Sequence, residues 1–521
     1  MNLSGQAKTV IEIQDQSILR NTGIKGIIGV VGPTERGPIG EPILVGSWIK
    51  FTQIFGGLQN DNIFPLLCRR ALESGAKLRV SRLGHYTDIT DASTLEGQAA
   101  WFNQDVDGSG QPGYHFQAKS LGTWGNKLKI SITPSLNIAG TFKLVIELEG
   151  FPELTETFND FKGNATTLSD ISVIEFNNKS NLVNIVEIEA PLTEGVALFS
   201  TISSPSLIGT NPTSYTAQDY VGDSTQGNGI HAFDNIVDIF RIAAPAIADP
   251  IVDSALIAYV ENRKDVRALL RTPVGLNEVG IQDYRNGTGS YSHQPYDSWR
   301  ASITTGGLKI NHPVTGEKIE IPEIGDVMGC YSRKDNQYAE WFSAAGPKRG
   351  LVRNALGVVY NLGSAARQLE ADVIDTLGIN PVIEHPSFGT VLWGNSTLQR
   401  ANTLLKHDNV ADLMVYLTRE LKPLIESELF EPNDIETWKT IYRKVKGLMD
   451  SVVEGRGIWK YLYQGDQDID NISQAQINNP DDVDKGIYVF HLFVAPKVAM
   501  KYLGVKVILT NSGVDFESLT V

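Results

Sequence analysis

The chain has 521 residues, 41% hydrophobic and 20% charged, with 49 glycines and 23 prolines, which excludes a collagen-like or wholly disordered polymer and suits roughly three to four globular domains. Lys and Arg number 45 against 60 Asp and Glu, a formal charge of −15, so nucleic-acid binding through a generally basic surface is excluded. Cys68 and Cys330 are the only cysteines, too few for a disulfide framework and without the spacing of a zinc site.

The N-terminus, MNLSGQAKTVIEIQDQS, lacks the basic and apolar regions of a signal peptide. Residues 1–20 read as an arm: Val10, Ile11 and Ile13 lie in a short β-branched run with no hairpin partner beside it. By itself that run also fits an edge strand of the local domain. From Gly26 the pattern is α/β. The apolar run 26–32 and residues 42–45 read as strands, Ser47 caps a helix over 48–55, a second helix spans 64–73, and 77–83 is the next strand. Strand, helix, strand at this spacing predicts a mixed or parallel sheet.

Residues 95–204 change character. Strand-like runs at 128–134, 141–150, 171–177 and 184–190 predict a β-rich domain inserted into the α/β chain. It carries 13 acidic and 6 basic residues, which favours an outward position. The α/β pattern resumes after 205, with strands at 240–246 and 266–273 around a helix over 251–262. Residues 275–325 read as loops with one hairpin, followed by helices at 335–344 and 364–377. Beyond 378 the reading is a strand at 389–394, amphipathic helices at 409–429 and 433–455, and strands at 486–496 and 502–511. The apolar stretch from Ile242 to Val260 is interrupted by Pro245, Asp249, Pro250 and Asp253, so it predicts no membrane span. These readings together describe a soluble, intracellularly made, multidomain acidic protein of mixed α/β (α+β) class.

Catalytic signatures are missing from the sequence. No P-loop, nucleophile elbow or zincin motif occurs. Gly108, Gly110 and Gly113 match a dinucleotide fingerprint in spacing, but without a preceding apolar strand and a following helix they read as a solvated loop. Asp105, Asp107, Ser109 and Gly110 imitate the start of a calcium loop, yet Phe116 stands where a bidentate Glu belongs; Asp466, Asp468 and Asp470 fail similarly, with Ile477 at that place. The eight histidines show no metal-binding spacing, and His491 reads as a packed core or interface residue. No catalytic, cofactor-binding or metal residues are expected.

One element stands out against the acidic background. In the helix over 433–455, Lys439, Arg443 and Lys446 share a face with Lys444 nearby, and no acidic residue lies between 437 and 449. This is either a solvated face or a surface that docks on an acidic protein. At the other end of the chain Val514, Phe516, Leu519 and Val521 make an apolar terminus that should be covered.

The segments 30–57 (VVGPTERGPIGEPILVGSWIKFTQIFGG), 341–350 (WFSAAGPKRG), 378–398 (GINPVIEHPSFGTVLWGNSTL), 430–441 (FEPNDIETWKTI) and 486–516 (GIYVFHLFVAPKVAMKYLGVKVILTNSGVDF) resemble the tail sheath proteins of contractile-tailed bacteriophages, in the expected order. Residues 116–132 (FQAKSLGTWGNKLKISI) resemble the opening of the β-rich domain inserted in many phage sheaths. One departure is VYLTREL at 415–421, where Arg419 stands alone in place of the double arginine frequent in the family; no arginine-specific contact is carried over.

The resemblance implies a structural, non-enzymatic virion subunit, assembled in the host bacterial cytoplasm. Subunits of the family form stacked six-membered rings around an inner tail tube and contract without nucleotide hydrolysis to drive that tube through the host envelope for genome ejection. The implied organisation is an arm at 1–20, a middle α/β domain at 21–94 plus 205–377, an outward inserted domain at 95–204, a tube-facing domain at 378–507 and an arm at 508–521. Arm residues Val10, Ile11, Ile13, Val514, Phe516 and Leu519 would add strands to neighbours, and Lys439, Arg443, Lys444 and Lys446 would face the tube. The implied partners are copies of the chain itself, the inner tail tube protein, and the baseplate and tail terminator proteins, with no nucleic acid and no membrane insertion. A tailocin or other contractile injection system is the alternative setting. An enzyme with a β-rich accessory domain is a different class, separable by whether purified protein forms hollow cylinders or discrete particles with turnover.

Overall fold

In a computed structural model of the chain, the described residues are 25–105, 112–192, 201–212, 214–465, 477–478 and 480–501. Arm residues Val10, Ile11, Ile13, Val514, Phe516 and Leu519, the expected strand at 502–511, Asp107, Ser109 and Gly110, and Asp466, Asp468 and Asp470 lie outside them.

The body is an eight-stranded sheet. Strands β1 (Ile27–Gly32), β2 (Ile43–Val45), β3 (Lys77–Arg82), β11 (Ile239–Ala243), β12 (Arg267–Arg271), β13 (Ala301–Thr305), β17 (Ile379–His385) and β18 (Gly389–Leu392) lie in the order β18-β17-β13-β12-β11-β1-β3-β2. The six from β17 to β3 are parallel, and an antiparallel strand closes each side. All residues of β1, β11, β12 and β13 are buried, as expected for parallel strands covered on both faces. On one face lie α1 (Trp48–Phe55), α2 (Phe64–Glu73) and α7 (Ile324–Gln337), which bury Phe51, Phe55, Phe64, Leu67, Met328 and Tyr331. On the other are α4 (Ala217–Val221), α5 (Pro250–Arg263), α6 (Glu278–Asn286) and α8 (Gln368–Thr376), which contribute Tyr220, Val252, Leu256, Ile281, Tyr284 and Ile374. The Ser47 cap forms as expected, accepting from Lys50 N at 3.2 Å.

The inserted unit departs from the body after β3 and returns before α4. It pairs β10 (Thr201–Ile202), β6 (Leu128–Pro134), β7 (Phe142–Leu148) and β8 (Glu156–Phe161) in one antiparallel sheet, and β4 (Trp101–Asp105), β5 (Pro112–Ala118) and β9 (Val183–Ile188) in another. A small sheet of β14 (Leu308–Asn311), β15 (Lys318–Ile321) and β16 (Gly357–Val358) sits on the body. At the C-terminal side, α9 (Asp408–Glu426) and α10 (Ile435–Glu454) form a helical hairpin with β19 (Ile458–Gln464), α11 (Pro480–Asp484) and β20 (His491–Pro496).

Several elements differ from the sequence reading. Residues 171–177, read as a strand, are helical: α3 (Ile171–Lys179) is capped by Asp170, whose side chain accepts from Ser172 N at 2.9 Å. Val173 and Phe176 are buried at helical spacing, and Phe176 packs on Phe116, Phe158 and Phe161. Tertiary packing overrides the β-branched composition here. The region read as loops with one hairpin does hold the β14–β15 hairpin, but also α6 and β13. Helix α6 runs from its cap Asn277 to Gly287 at φ +69°, signals present in the sequence. The helix placed at 335–344 is α7, whose apolar residues Ile324, Val327, Met328 and Tyr331 set its register earlier. The strand read over 486–496 is confined to β20. The sheet also runs through β17 and β18 to Leu392, past the position 378 where the reading begins the C-terminal domain.

Candidate functional site

The α9–α10 hairpin joins the body through a buried ionic cluster. Arg241 and Arg267 project from β11 and β12, Lys334 and Asp335 from α7, and Asp408 and Asp412 from α9, all 2% exposed or less. Arg241 Nη1 lies 2.7 Å from Asp335 Oδ2, and its Nη2 pairs with Asp412. Arg267 Nη1 lies 2.8 Å from Asp408 Oδ1 and also pairs with Asp412. Lys334 Nζ is 2.8 Å from Asp412 Oδ2 and 2.6 Å from Asp335 Oδ1. Tyr331 donates to Asp408 Oδ2 at 3.0 Å, and its ring lies 4.2 Å under the Arg241 guanidinium. Three cations therefore meet three carboxylates. Burial alone would push the Asp412 carboxyl up, but Arg241, Lys334 and Arg267 hold it well below the usual carboxylate range. Arg419 strengthens the joint: its guanidinium donates to the carbonyls of Ile239 and, at 2.7 Å, Val237. The sequence reading missed this cluster; its signal is arginine inside strands whose other residues are apolar.

Helix α10 presents the four basic residues singled out from sequence. Its inner stripe of Trp438, Ile441, Val445, Leu448, Met449 and Val452 is buried. On the other side, Lys439 pairs with Glu436 at 3.3 Å, Lys446 with Asp450 at 2.5 Å, and Lys444 with Glu428. Arg443 is exposed and makes no ion pair among the described residues. The absence of acidic residues between 437 and 449 thus overstates the face: carboxylates just outside that window neutralise three of its four cations.

Behind α10 lies the two-stranded sheet β19–β20, antiparallel from Ile458↔Pro496 to Gln464↔His491. Between it and α10 lies an aromatic cluster that includes Tyr488 and Phe490 just before β20: Trp438 stacks on Tyr488 at 5.0 Å, Tyr463 stacks on Phe490 at 4.8 Å, and Tyr442 meets Tyr463 edge-on at 5.1 Å. The outer side of the sheet exposes Trp459, Leu462 and Phe493. His491 is also exposed, so of its reading as a packed core or interface residue the core half is excluded. Among the described residues each of these two strands pairs only with the other.

The inserted unit is fixed to the body by arginines. Arg82 donates from Nη1 to Gly37 O at 2.9 Å and from Nη2 to Leu121 O at 3.0 Å, and burial brings its pKa down to about 10. Arg36 donates to Thr52 O at 2.6 Å and lies 5.8 Å from the Trp124 ring and 5.5 Å from the Phe151 ring. Cys68 and Cys330 are buried and unbonded to each other. Among the described residues no three His, Cys, Asp or Glu side chains are grouped to hold a metal ion, and no helix is long and apolar enough to cross a membrane.

No protein-family model matches the chain. The tail sheath protein of Enterobacteria phage T4 is 24% identical over 326 residues, 59% of this chain and 47% of that protein; the chain spans less than half of that relative's length. In fold, the sheath tail protein of Listeria innocua aligns over 91% of this chain and 96% of its own, with a TM-score of 0.60 at 13% identity. A sheath subunit of the PVC extracellular contractile injection system, in its contracted state, aligns over 99% of both chains with a TM-score of 0.53 at 13% identity. By sequence the chain is similar to phage tail sheath proteins, and it has the mixed α/β multidomain fold of sheath subunits.

Proposed function

We propose that the chain is the structural subunit of a contractile tail sheath, a virion protein assembled in the host bacterial cytoplasm. Copies stack as six-membered rings around an inner tail tube, meet a baseplate at one end and a tail terminator at the other, and contract to drive the tube through the host envelope. The chain acts as a mechanical part, without catalysis or nucleotide hydrolysis: the extended assembly is metastable, and contraction buries more surface between subunits. The observation that carries this reading is similarity to a phage tail sheath protein in a chain whose fold aligns with sheath subunits over nearly its whole length. That full-length alignment with an injection-system sheath also favours a second setting, a tailocin or extracellular injection particle, with the same mechanics.

The β19–β20 ribbon, two strands wide among the described residues, is the sheet the arms would extend. Strands containing Val10, Ile11 and Ile13 from one neighbour, and Val514, Phe516 and Leu519 from another, would extend this sheet by main-chain hydrogen bonding. Deleting residues 1–16 should leave a folded monomer that no longer forms cylinders, as read by circular dichroism and negative-stain microscopy. Normal polymerisation of the deleted chain would refute the arm role.

Lys439, Arg443, Lys444 and Lys446 of α10 would face the tube, with Arg443 the most available contact. Converting Lys439 and Arg443 to Glu should abolish assembly on purified tubes while leaving tube-free polymers, because a like-charged face repels an acidic partner. Tubes dressed normally by the double variant would reduce these residues to a solvated surface.

A further inference from the structure

At the tip of the α9–α10 hairpin Phe430 is fully exposed, with Leu429 58% exposed beside it. Phe430 has φ +71°, the left-handed region that side chains other than glycine's rarely enter and that is retained where surroundings impose it. The tip is braced on both sides. Lys444 donates to Ser427 Oγ at 2.7 Å and pairs with Glu428. Asn433 donates to the carbonyls of Val483 at 3.1 Å and Ile487 at 3.2 Å, and accepts from Trp438 Nε1 at 2.8 Å. A strained aromatic is thus displayed on a fixed loop. The adjoining Glu431 is exposed and has no ion pair among the described residues.

The other end of α10 carries complementary chemistry. Trp459 is 71% exposed, with Lys497 Nζ 4.9 Å from its ring centre. Arg456 and Lys460 beside it are exposed and have no ion pair among the described residues. Between the two ends runs a helix of 20 residues, about 30 Å of rigid rod.

We propose that these two ends are the halves of one contact between copies of the chain: Leu429, Phe430 and Glu431 of one copy seat against Trp459, Lys460 and Arg456 of the next. A second copy fits because aromatic meets aromatic and an unpaired carboxylate meets unpaired cations, whereas two like ends would oppose like charges. One molecule cannot satisfy both ends itself, since the helix holds them apart. A head-to-tail contact of this kind does not close on two copies but continues into a ring or a helix. The inference rests on the assembly reading above and adds to it a contact made by the folded domain, independent of the arms.

The test uses the full-length chain carrying Phe430→Cys and Trp459→Cys, polymerised and then oxidised; Cys68 and Cys330 are buried, so the new thiols report the contact. The expected result is a covalent ladder extending past the dimer on a non-reducing gel, with each single variant remaining monomeric. Polymers without a ladder, dimers from Phe430→Cys alone, or cross-linking of Phe430→Cys to a tube protein in place of a second copy overturn the contact while the assembly reading stands. As an independent check, Glu431→Lys should raise the concentration needed for polymerisation about tenfold or more, and adding Lys460→Glu should restore it. Unchanged polymerisation of Glu431→Lys overturns the contact. Failure of the unaltered chain to polymerise overturns the assembly reading and the contact with it.

Discussion

Replacing Asp412 by alanine should loosen the α9–α10 unit from the body by about 3–5 kcal/mol, the effect of removing one partner from a buried ion cluster. Arg241, Arg267 and Lys334 would then face only Asp335 and Asp408, leaving one buried positive charge uncompensated. Local opening is the appropriate readout in a chain of several units. Amides of α9 should exchange with solvent roughly two to four orders of magnitude faster, while those of β6 and β7 in the inserted unit stay unchanged. Pairing Asp412→Ala with Arg241→Met should recover much of the loss, since the excess charge is removed with its partner. Unaltered exchange of α9 in the single variant would mean that the cluster does not hold the hairpin. The same cluster has an acid limit. Because Asp412 is held below its ordinary value in the folded chain, its contribution is present above the unfolded aspartate range near pH 4 and is lost as the pH falls below it.

Asp253 has the opposite sign. It lies on α5, buried, accepting from Tyr284 OH at 2.7 Å, and burial raises its pKa from 3.8 to about 7. Between pH 4 and 7 the folded chain holds a proton that the unfolded chain has released, so stability falls as the pH rises through that window and levels off above it. A shift from 3.8 to about 7 corresponds to about 4 kcal/mol across the window. Asp253→Asn keeps the acceptor for Tyr284 without the ionisation. The variant should lose that slope and be more stable than the unaltered chain at pH 8, measured by denaturant unfolding at pH 5 and pH 8. Equal slopes in the two proteins would show that Asp253 is ionised in the folded state throughout.

At neutral pH the Asp412 cluster ties the helical hairpin to the body, as the proposed contractile role requires if changes occur between subunits and not within them. The arginine joints at Arg36 and Arg82 tie the inserted unit to the body as well.

Much of this architecture is legible in the chain because local signals and tertiary packing agree. The glycine-bounded run at 26–32, the Ser47 cap and the apolar stripe of α10 each give the same answer in sequence and in structure. Disagreement arises where packing decides. Helix α3 is rich in β-branched residues, and its Asp170 cap with the burial of Val173 and Phe176 makes it a helix. Strand β13 reads ASITT, too polar to be taken from sequence for a buried central strand, yet Thr304 and Thr305 are buried with their hydroxyls bonded to Glu323 and Thr272. The ionic cluster escaped because its six charged residues come from four elements separated by up to 171 positions, and no local pattern encodes their meeting. The basic helix was visible in one dimension, but the carboxylates that neutralise Lys439, Lys444 and Lys446 were not counted with it.

The most direct measurement is high-resolution electron microscopy of the purified full-length chain. The account requires long hollow cylinders in which strands from neighbouring copies extend the ribbon of 458–464 and 491–496. Discrete particles, or cylinders whose ribbon borders meet only their own polypeptide, would contradict it.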